Sequence, residues 1–178
     1  QPGLAHLCEH LLVHGQGAAP SLAQAVTALG GEVDAYTTSE HVAVQLTVAS
    51  RALEPALALL GKALTQPPTQ GPALRRAAAE VTDEIQRTGA APERALTQAF
   101  LGAALGVRRA VLGDDRVVAA LTSEQVGAFL SRHLRRGRVT LLASGDLRPA
   151  AAASSLQAVL AGLPSGGAPD AAPEPPST

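Results

Sequence analysis

The segment Leu4–His14 constrains the fold more than any other part of the chain. Its apolar residues recur at the spacing of a helix, and glycines stand on both sides of it. Three ionisable residues, His6, Glu9 and His10, interrupt this apolar pattern. Burying such groups without partners is unfavourable, because each loses its hydrogen bonds to water. Wherever this helix is buried, the fold must therefore bring a partner to these three side chains.

Taken singly, a helical histidine is more often an ordinary polar residue than a metal ligand, but here the spacing favours a metal site. A helix places residues four apart on one face, about 5–6 Å apart at Cβ, so His6 and His10 can reach one ion. The sequence HLCEH has the H-x-x-E-H pattern of the inverted zincins. A catalytic zinc ion takes three protein ligands and leaves one position open, and a further carboxylate accepts a proton from water. The pattern predicts Zn2+ as cofactor and supplies Glu9 as the base, but it lacks a third ligand.

Three carboxylates of a second predicted helix, Leu74–Arg87, are candidates for the third ligand: Glu80, Asp83 and Glu84. Each of them, taken alone, is more typical of a solvated helix face. Glu80 and Glu84 share one face of that helix, whereas Asp83 lies about 100° away from Glu84. One glutamate could bind the metal while the other orients a ligand. Spacing alone does not choose between them.

Helical composition with capping or breaking residues predicts five further helices. They are Leu22–Leu29 behind the N-cap Ser21, Arg51–Leu64, about Pro92–Ala104, Thr122 to about Leu134, and about Pro149–Ala161. Runs rich in β-branched residues predict three strands, the first two as an antiparallel pair: Glu32–Thr38, Val42–Ala49 and Arg138–Ser144. This mixture predicts an α+β fold, in which helices pack on one face of a mixed, largely antiparallel sheet.

The chain has 178 residues, enough for one domain with a full hydrophobic core. Residues 1–162 are predicted to form that domain, and residues 163–178, rich in Pro, Ala and Gly, an interdomain linker or tail. Hydrophobic residues make up 46% of the chain but aromatic residues only 2%. The core must therefore consist of small aliphatic side chains, which favours helices packed closely on a sheet.

Charge and composition limit the partners and the compartment. A net charge of −1, from 14 basic and 15 acidic residues, gives no electrostatic reason to bind nucleic acid or an anionic membrane. No run approaches the roughly 18 apolar residues of a membrane span. Cys8 is the single cysteine, so no internal disulfide is possible. The composition, rich in Arg, Ala and Gly, indicates a bacterial protein, and we expect the cytoplasm, with the natural N-terminus absent before Gln1.

The segment GLAHLCEHLLVHG resembles the zinc helix of the M16 family of metallopeptidases, which includes pitrilysin, insulinase and the mitochondrial processing peptidase. Members of that family carry a similar Gly-x-Ala-His-x-x-Glu-His segment. Three further blocks resemble the family in the same order: LGGEVDAYTTSEHVAVQLTV, QPPTQGPALRRAAAEVTDEI and VLGDDRVVAALTSEQVGAFLSRHLRRGRVTLLASGDL. Together the blocks cover nearly the whole chain, so the resemblance extends far beyond a five-residue motif.

This resemblance implies a role for each residue of the site. His6 and His10 match the zinc histidines, Glu84 matches the distant glutamate that completes the site, and Glu9 matches the general base. Glu80 is then an outer carboxylate that orients a ligand. The family often has another glutamate two turns before the zinc glutamate, where this chain has Ala77.

The resemblance also implies a function, a zinc endopeptidase that cleaves short or unfolded peptides. The peptide substrate would pair as an added strand along Asp34, Ala35, Tyr36 and Thr37. A second homologous half, on the same chain or on a separate subunit, would close the chamber. The family's strands before the zinc helix lie outside this sequence, and Asp34 stands where the family usually has Asn. The alternative is a catalytically silent scaffold or peptide-binding subunit of such a two-half complex.

Overall fold

The structure is a computed structural model that describes residues 1–17, 19–89 and 111–166, with six single positions between 93 and 103. In these ranges we number seven helices: α1 Leu4–His14, α2 Leu22–Ala28, α3 Leu53–Thr65, α4 Gly71–Gly89, α5 Asp115–Ala119, α6 Ser123–His133 and α7 Pro149–Ala161. A 3-10 turn, Ser50–Ala52, precedes α3. Two strands, β1 (Glu32–Thr37) and β2 (Val42–Thr47), form an antiparallel hairpin. The fold class is α+β, as predicted.

Helix α1 lies at the centre of the described structure. It packs against α4 on one side, against both strands and α2 on another, and against α6. The core around it consists of small aliphatic side chains, as the composition predicts: Leu4, Leu7, Cys8, Leu11, Leu12, Ala73, Leu74, Ala77, Val81, Val118, Leu121, Val126 and Leu130. Burial raises the pKa of the Cys8 thiol to about 12, so Cys8 is part of this core and stays protonated.

A close contact between two glycines fixes the beginning of α1. Gly3 and Gly113 both have positive φ, at 80° and 87°. A Cβ atom added to Gly113 would lie 2.6 Å from the Cα atom of Gly3, and one added to Gly3 would lie 2.7 Å from Val118. Neither position can therefore carry a side chain unless α1 moves away from the segment before α5.

Most of the predicted elements are confirmed, some of them to the residue. Helices α1 and α7 have the predicted bounds, and the predicted hairpin is present. Two predicted N-caps form complete capping boxes, Ser21 with Gln24 and Thr122 with Gln125. Helix α5 was not predicted; Asp114 caps it by accepting hydrogen bonds from the backbone N–H groups of Arg116 and Val117.

The predicted strand Arg138–Ser144 is wrong. No part of this segment is in a strand, and the side chain of Leu142 in its middle is 91% exposed. A strand is defined by hydrogen bonds to a neighbour, and no partner strand lies beside this segment in the described part of the chain. The sheet of the described residues is therefore smaller than expected, with two strands instead of three.

Two other predictions concern parts of the chain that are described only partly. Of the predicted helix Pro92–Ala104, six single positions are described. The division at residue 162 stays a prediction. Leu163 nevertheless packs on the domain, because its side chain is buried and its carbonyl accepts a 3.0 Å hydrogen bond from Arg136 Nε. None of the described helices combines the length and hydropathy needed to cross a membrane.

The core assignment predicts opposite outcomes for two leucines. Leu130→Ala, inside the core beside α1, should lower the free energy of unfolding by about 2–5 kcal/mol, because it removes buried surface and leaves a cavity. Leu142→Ala is the matched control and should change it by no more than about 0.5 kcal/mol. Urea unfolding followed by circular dichroism measures both. Equal losses in the two variants would contradict the assignment of this core.

Candidate metal centre

Helices α1 and α4 bring the two histidines and a glutamate to one point. The Nε2 atom of His6 lies 3.4 Å from Glu84 Oε2, and the Nε2 atom of His10 lies 3.5 Å from the same oxygen. The two imidazole rings are 4.9 Å apart between centroids and nearly perpendicular, at 84°. The three atoms therefore surround a small volume between the helices.

These separations fit a bound metal ion better than hydrogen bonds. An N–H···O hydrogen bond usually measures about 2.7–3.2 Å. Two ligands of a tetrahedral zinc ion, with bonds of about 2.0–2.2 Å, lie about 3.3–3.5 Å from each other. Two imidazoles and one carboxylate also form one of the usual ligand sets of catalytic zinc. His6, His10 and Glu84 therefore fit a zinc ion in atom type, and the distance from each histidine to Glu84 also fits one.

The protonation of His6 is compatible with metal binding. Burial lowers the pKa of His6, and the neighbouring His10 lowers it further, while Glu84 and Glu9 oppose the shift. The ring is therefore neutral at neutral pH, the form in which an imidazole binds a metal. The Nδ1 atoms of His6 and His10 are buried and have no hydrogen-bond partner among the described residues.

Glu9 lies on the same helix and beside the same volume. Ligand atoms of His6, Glu9 and His10 all lie within 4.8 Å of one another, so Glu9 is a second carboxylate near the candidate centre. Within the described residues, it makes no ion pair with either histidine. Glu9 is only 8% exposed, and its Oε2 atom accepts a 2.5 Å hydrogen bond from Thr37 Oγ1. Both Glu9 and Glu84 thus lie near the two histidines, and the assignment of Glu84 as third ligand and Glu9 as base stays a prediction.

The two other acidic candidates on α4, Glu80 and Asp83, differ in their contacts with the histidines. Glu80 Oε2 lies 3.5 Å from Nδ1 of His10, and Glu80 Oε1 accepts a 2.9 Å hydrogen bond from Arg76 Nε. Burial raises the pKa of Glu80, but its contacts with Arg76 and His10 together lower it, so the carboxylate stays charged. Asp83 makes no ion pair with either histidine. Glu80 is thus the candidate that lies on the Nδ1 side of His10, and its role in orienting that ring stays a prediction.

The predicted substrate strand runs beside this centre. Along β1, Asp34 and Tyr36 are exposed, whereas Ala35 and Thr37 are half-buried toward the helices. One edge of β1 pairs with β2, and the other edge has no strand partner among the described residues. A cavity of about 380 Å³ opens next to the centre, with His10, His14, Arg76, Glu80 and Glu84 in its wall. The centre is therefore reachable from the surface.

Two contacts of the site were missed by the sequence analysis. Thr37 donates a hydrogen bond to Glu9, which lies 28 positions before it in the sequence. Arg76 donates a hydrogen bond to the oxygen of Glu80 that does not face His10. Thr37 was assigned only to the substrate edge, and nothing in the spacing of the two residues indicates that they meet. The pair Arg76 and Glu80 has the i, i+4 spacing of a helical ion pair, a signal that was available in the sequence.

Sequence comparison places this chain among known proteins. The family model described as Insulinase (Peptidase family M16) matches residues 1–113. An uncharacterized zinc protease of Mycobacterium leprae is 31% identical over 150 residues, which cover 82% of this chain and 34% of that protein. Subunit 1 of the human mitochondrial cytochrome b-c1 complex is 27% identical over 178 residues, 96% of this chain and 37% of the subunit. The chain thus spans about a third of the length of the curated relatives it matches.

Solved structures with the same fold are longer than this chain. The peptidase M16 inactive domain from Pseudomonas fluorescens has a TM-score of 0.83 and 23% identity, and the match covers 98% of this chain and 44% of that one. The first half of the periplasmic protease PqqL from Escherichia coli has a TM-score of 0.83 and 20% identity, over 99% of this chain and 40% of that one. The fold is therefore that of one part, less than half, of these longer structures. Together with the family match, this shows that the chain belongs to the insulinase family, peptidase family M16.

The geometry predicts how three acidic variants rank in zinc affinity. Glu84→Gln should weaken zinc binding most, because it removes the charged oxygen that faces both imidazoles. Glu80→Gln should weaken it about 10-fold to 100-fold, the usual effect of losing a group that orients a ligand. Asp83→Asn is the control and should bind zinc as the wild type does. Competition with a fluorescent chelator measures all three affinities, and an equal loss in Glu84→Gln and Glu80→Gln would contradict the choice of ligand.

Proposed function

We propose that this chain is the zinc-binding half of a zinc endopeptidase, in which His6, His10 and Glu84 hold the metal and Glu9 is the general base. One observation carries the proposal: a single oxygen of Glu84 faces the Nε2 atoms of both histidines, while a second carboxylate, that of the buried Glu9, lies beside them. In this proposal the Glu84 carboxylate binds the metal and the Glu9 carboxylate accepts the proton. The names of the mycobacterial relatives, uncharacterized zinc proteases, support the same metal.

The chemistry divides between the metal and Glu9. A zinc ion, when bound, supplies Lewis-acid activation of water and of the scissile carbonyl. Glu9 accepts the proton that the attacking water loses and then delivers it to the nitrogen of the departing amine. Glu9 is almost fully buried, and its carboxylate forms no ion pair with either histidine among the described residues. The hydrogen bond from Thr37 partly compensates the negative charge of this carboxylate.

The substrate in this proposal is a short or unfolded peptide. Such a peptide would add as a strand to the free edge of β1, along Asp34, Ala35, Tyr36 and Thr37. Main-chain hydrogen bonds then provide most of the affinity, so many side chains are tolerated. Asp34 brings a negative charge to this edge. Folded proteins would be poor substrates, because they do not offer a free extended segment.

The proposal includes a second homologous half. The solved structures that share this fold are about twice the length of the chain or longer, which supports a partner half on the same polypeptide or on another subunit. That half would close the chamber over the centre and supply groups that bind the substrate. The bacterial relatives support a bacterial protein, for which the cytoplasm stays our expectation.

A catalytically silent role in such a two-half complex is the second candidate. It is favoured by one solved structure in particular, the M16 domain from Pseudomonas fluorescens that is called inactive. Ala77, at a position where the resemblance implies an outer glutamate, points the same way. Against it stand the four residues His6, Glu9, His10 and Glu84, which are present and meet at one point. Zinc content and hydrolysis decide between the two functions.

The role of Glu9 is tested by separating metal binding from hydrolysis. Glu9→Gln should keep one zinc ion and lose about 10²-fold to 10⁴-fold in kcat, since the amide cannot accept the proton. His6→Ala should lose the zinc ion itself. Elemental analysis and cleavage of an unstructured fluorogenic peptide, with the second half present, measure both properties. A Glu9→Gln variant as active as the wild type would remove Glu9 from the mechanism.

The two-half arrangement is tested with the chain alone. Zinc-loaded residues 1–178 should hydrolyse an unstructured peptide slowly or not at all, because each absent donor to the developing oxyanion costs about 10²-fold to 10³-fold in rate. Adding the second half, as a fused or separate chain, should restore hydrolysis that a chelator abolishes. Rapid, chelator-sensitive turnover by monomeric residues 1–178 would show instead that the site is complete within this chain.

A further inference from the structure

One hydrogen bond connects the substrate strand to the candidate base. Thr37 Oγ1, at the last position of β1, donates to Glu9 Oε2 on α1 at 2.5 Å. This is within the range of about 2.5–2.7 Å for hydroxyl groups that donate to a charged carboxylate, which are roughly twice as strong as neutral hydrogen bonds. The other carboxylate oxygen, Oε1, has no hydrogen-bond partner among the described residues. The bond therefore holds one oxygen of Glu9 and leaves the other available.

The position of Thr37 is itself fixed from both sides. Its backbone pairs with Val42 across the hairpin. The turn that follows is closed by Thr38, whose N–H donates to the His41 carbonyl at 2.8 Å and whose hydroxyl accepts from the backbone N–H groups of Glu40 and His41. A β-branched threonine also has few side-chain rotamers. The Thr37 hydroxyl is thus a rigid donor, and Glu9 is oriented by the strand.

We propose that Thr37 is a positioning residue for the general base: its hydroxyl holds Oε2 of Glu9, so that Oε1 faces the attacking water. The proposal rests on the proposed function. The proton of Thr37 stays on Oγ1 throughout, because the hydroxyl only donates a hydrogen bond, and the proton taken from water is carried by Oε1. Thr37 acts through Glu9 and does not touch the reacting atoms.

This role makes the β1 strand part of the catalytic geometry. A peptide that adds to the free edge of β1 lies on the same strand that holds Glu9. The peptide would therefore bind to the backbone of the same strand whose Thr37 side chain orients the base. Misplacing a catalytic group by about 1 Å costs on the order of 100-fold in rate, so one hydrogen bond is sufficient for a measurable effect.

Three threonine variants test the proposal. Thr37→Val has nearly the same shape but no donor, Thr37→Ser keeps the hydroxyl, and Thr47→Val makes the same change at the far end of the hairpin. With the second half present, Thr37→Val should lose about 10-fold to 100-fold in kcat, with zinc content and KM unchanged. Thr37→Ser should keep most of the wild-type kcat, and Thr47→Val should have the same kcat and KM as the wild type.

A second measurement does not depend on activity. The ¹³C resonance of the Glu9 carboxyl carbon, assigned by its absence in Glu9→Gln, should shift in zinc-loaded Thr37→Val but not in Thr37→Ser or Thr47→Val. An unshifted resonance in Thr37→Val overturns the proposal, as does unchanged kcat or a rise in KM without a fall in kcat. If the resonance shifts but the wild type cleaves no peptide, the proposed function fails while the orientation of Glu9 by Thr37 stands.

Discussion

The structure depends on the burial of a helix that carries His6, Glu9 and His10 among its buried and half-buried side chains. Helix α1 is surrounded by α4, α6 and the hairpin, and it forms the centre of the core. Buried imidazoles and carboxylates are unfavourable unless other groups compensate them. Glu84 from α4 compensates the two histidines, and Thr37 from β1 compensates Glu9. The elements that bury α1 are therefore the same elements that supply the partners of His6, His10 and Glu9.

Local signals predicted much of this fold because the relevant interactions are themselves local. The capping boxes at Ser21 and Thr122 join residues three positions apart, and the hairpin pairs neighbouring segments. Helix α1 lies between glycines, and α7 begins at Pro149, so their bounds follow from backbone chemistry. The histidine pair and Glu9 were also predictable, since a helix brings residues at this spacing to one side.

The remaining features depend on contacts between distant segments. Whether Arg138–Ser144 is a strand depends on a partner beside it, and β-branched composition does not reveal that partner. The choice between Glu80 and Glu84 depends on how α4 is rotated and shifted against α1. The family resemblance favoured Glu84, and the structure places Glu84 between both Nε2 atoms. The contact of Thr37 with Glu9 requires the docking of β1 on α1, which no local pattern describes.

The contact between Gly3 and Gly113 has a consequence for the spacing of α1 and α4. His6 follows Gly3 by less than one helical turn, so a shift in the beginning of α1 would also move His6 relative to Glu84 on α4. A Cβ atom added to Gly113 would lie 2.6 Å from the Cα atom of Gly3, which is too close for the backbone to stay in place. Two residues outside the cluster of ionisable side chains thus help to set the distance between the imidazole of His6 and the carboxylate of Glu84.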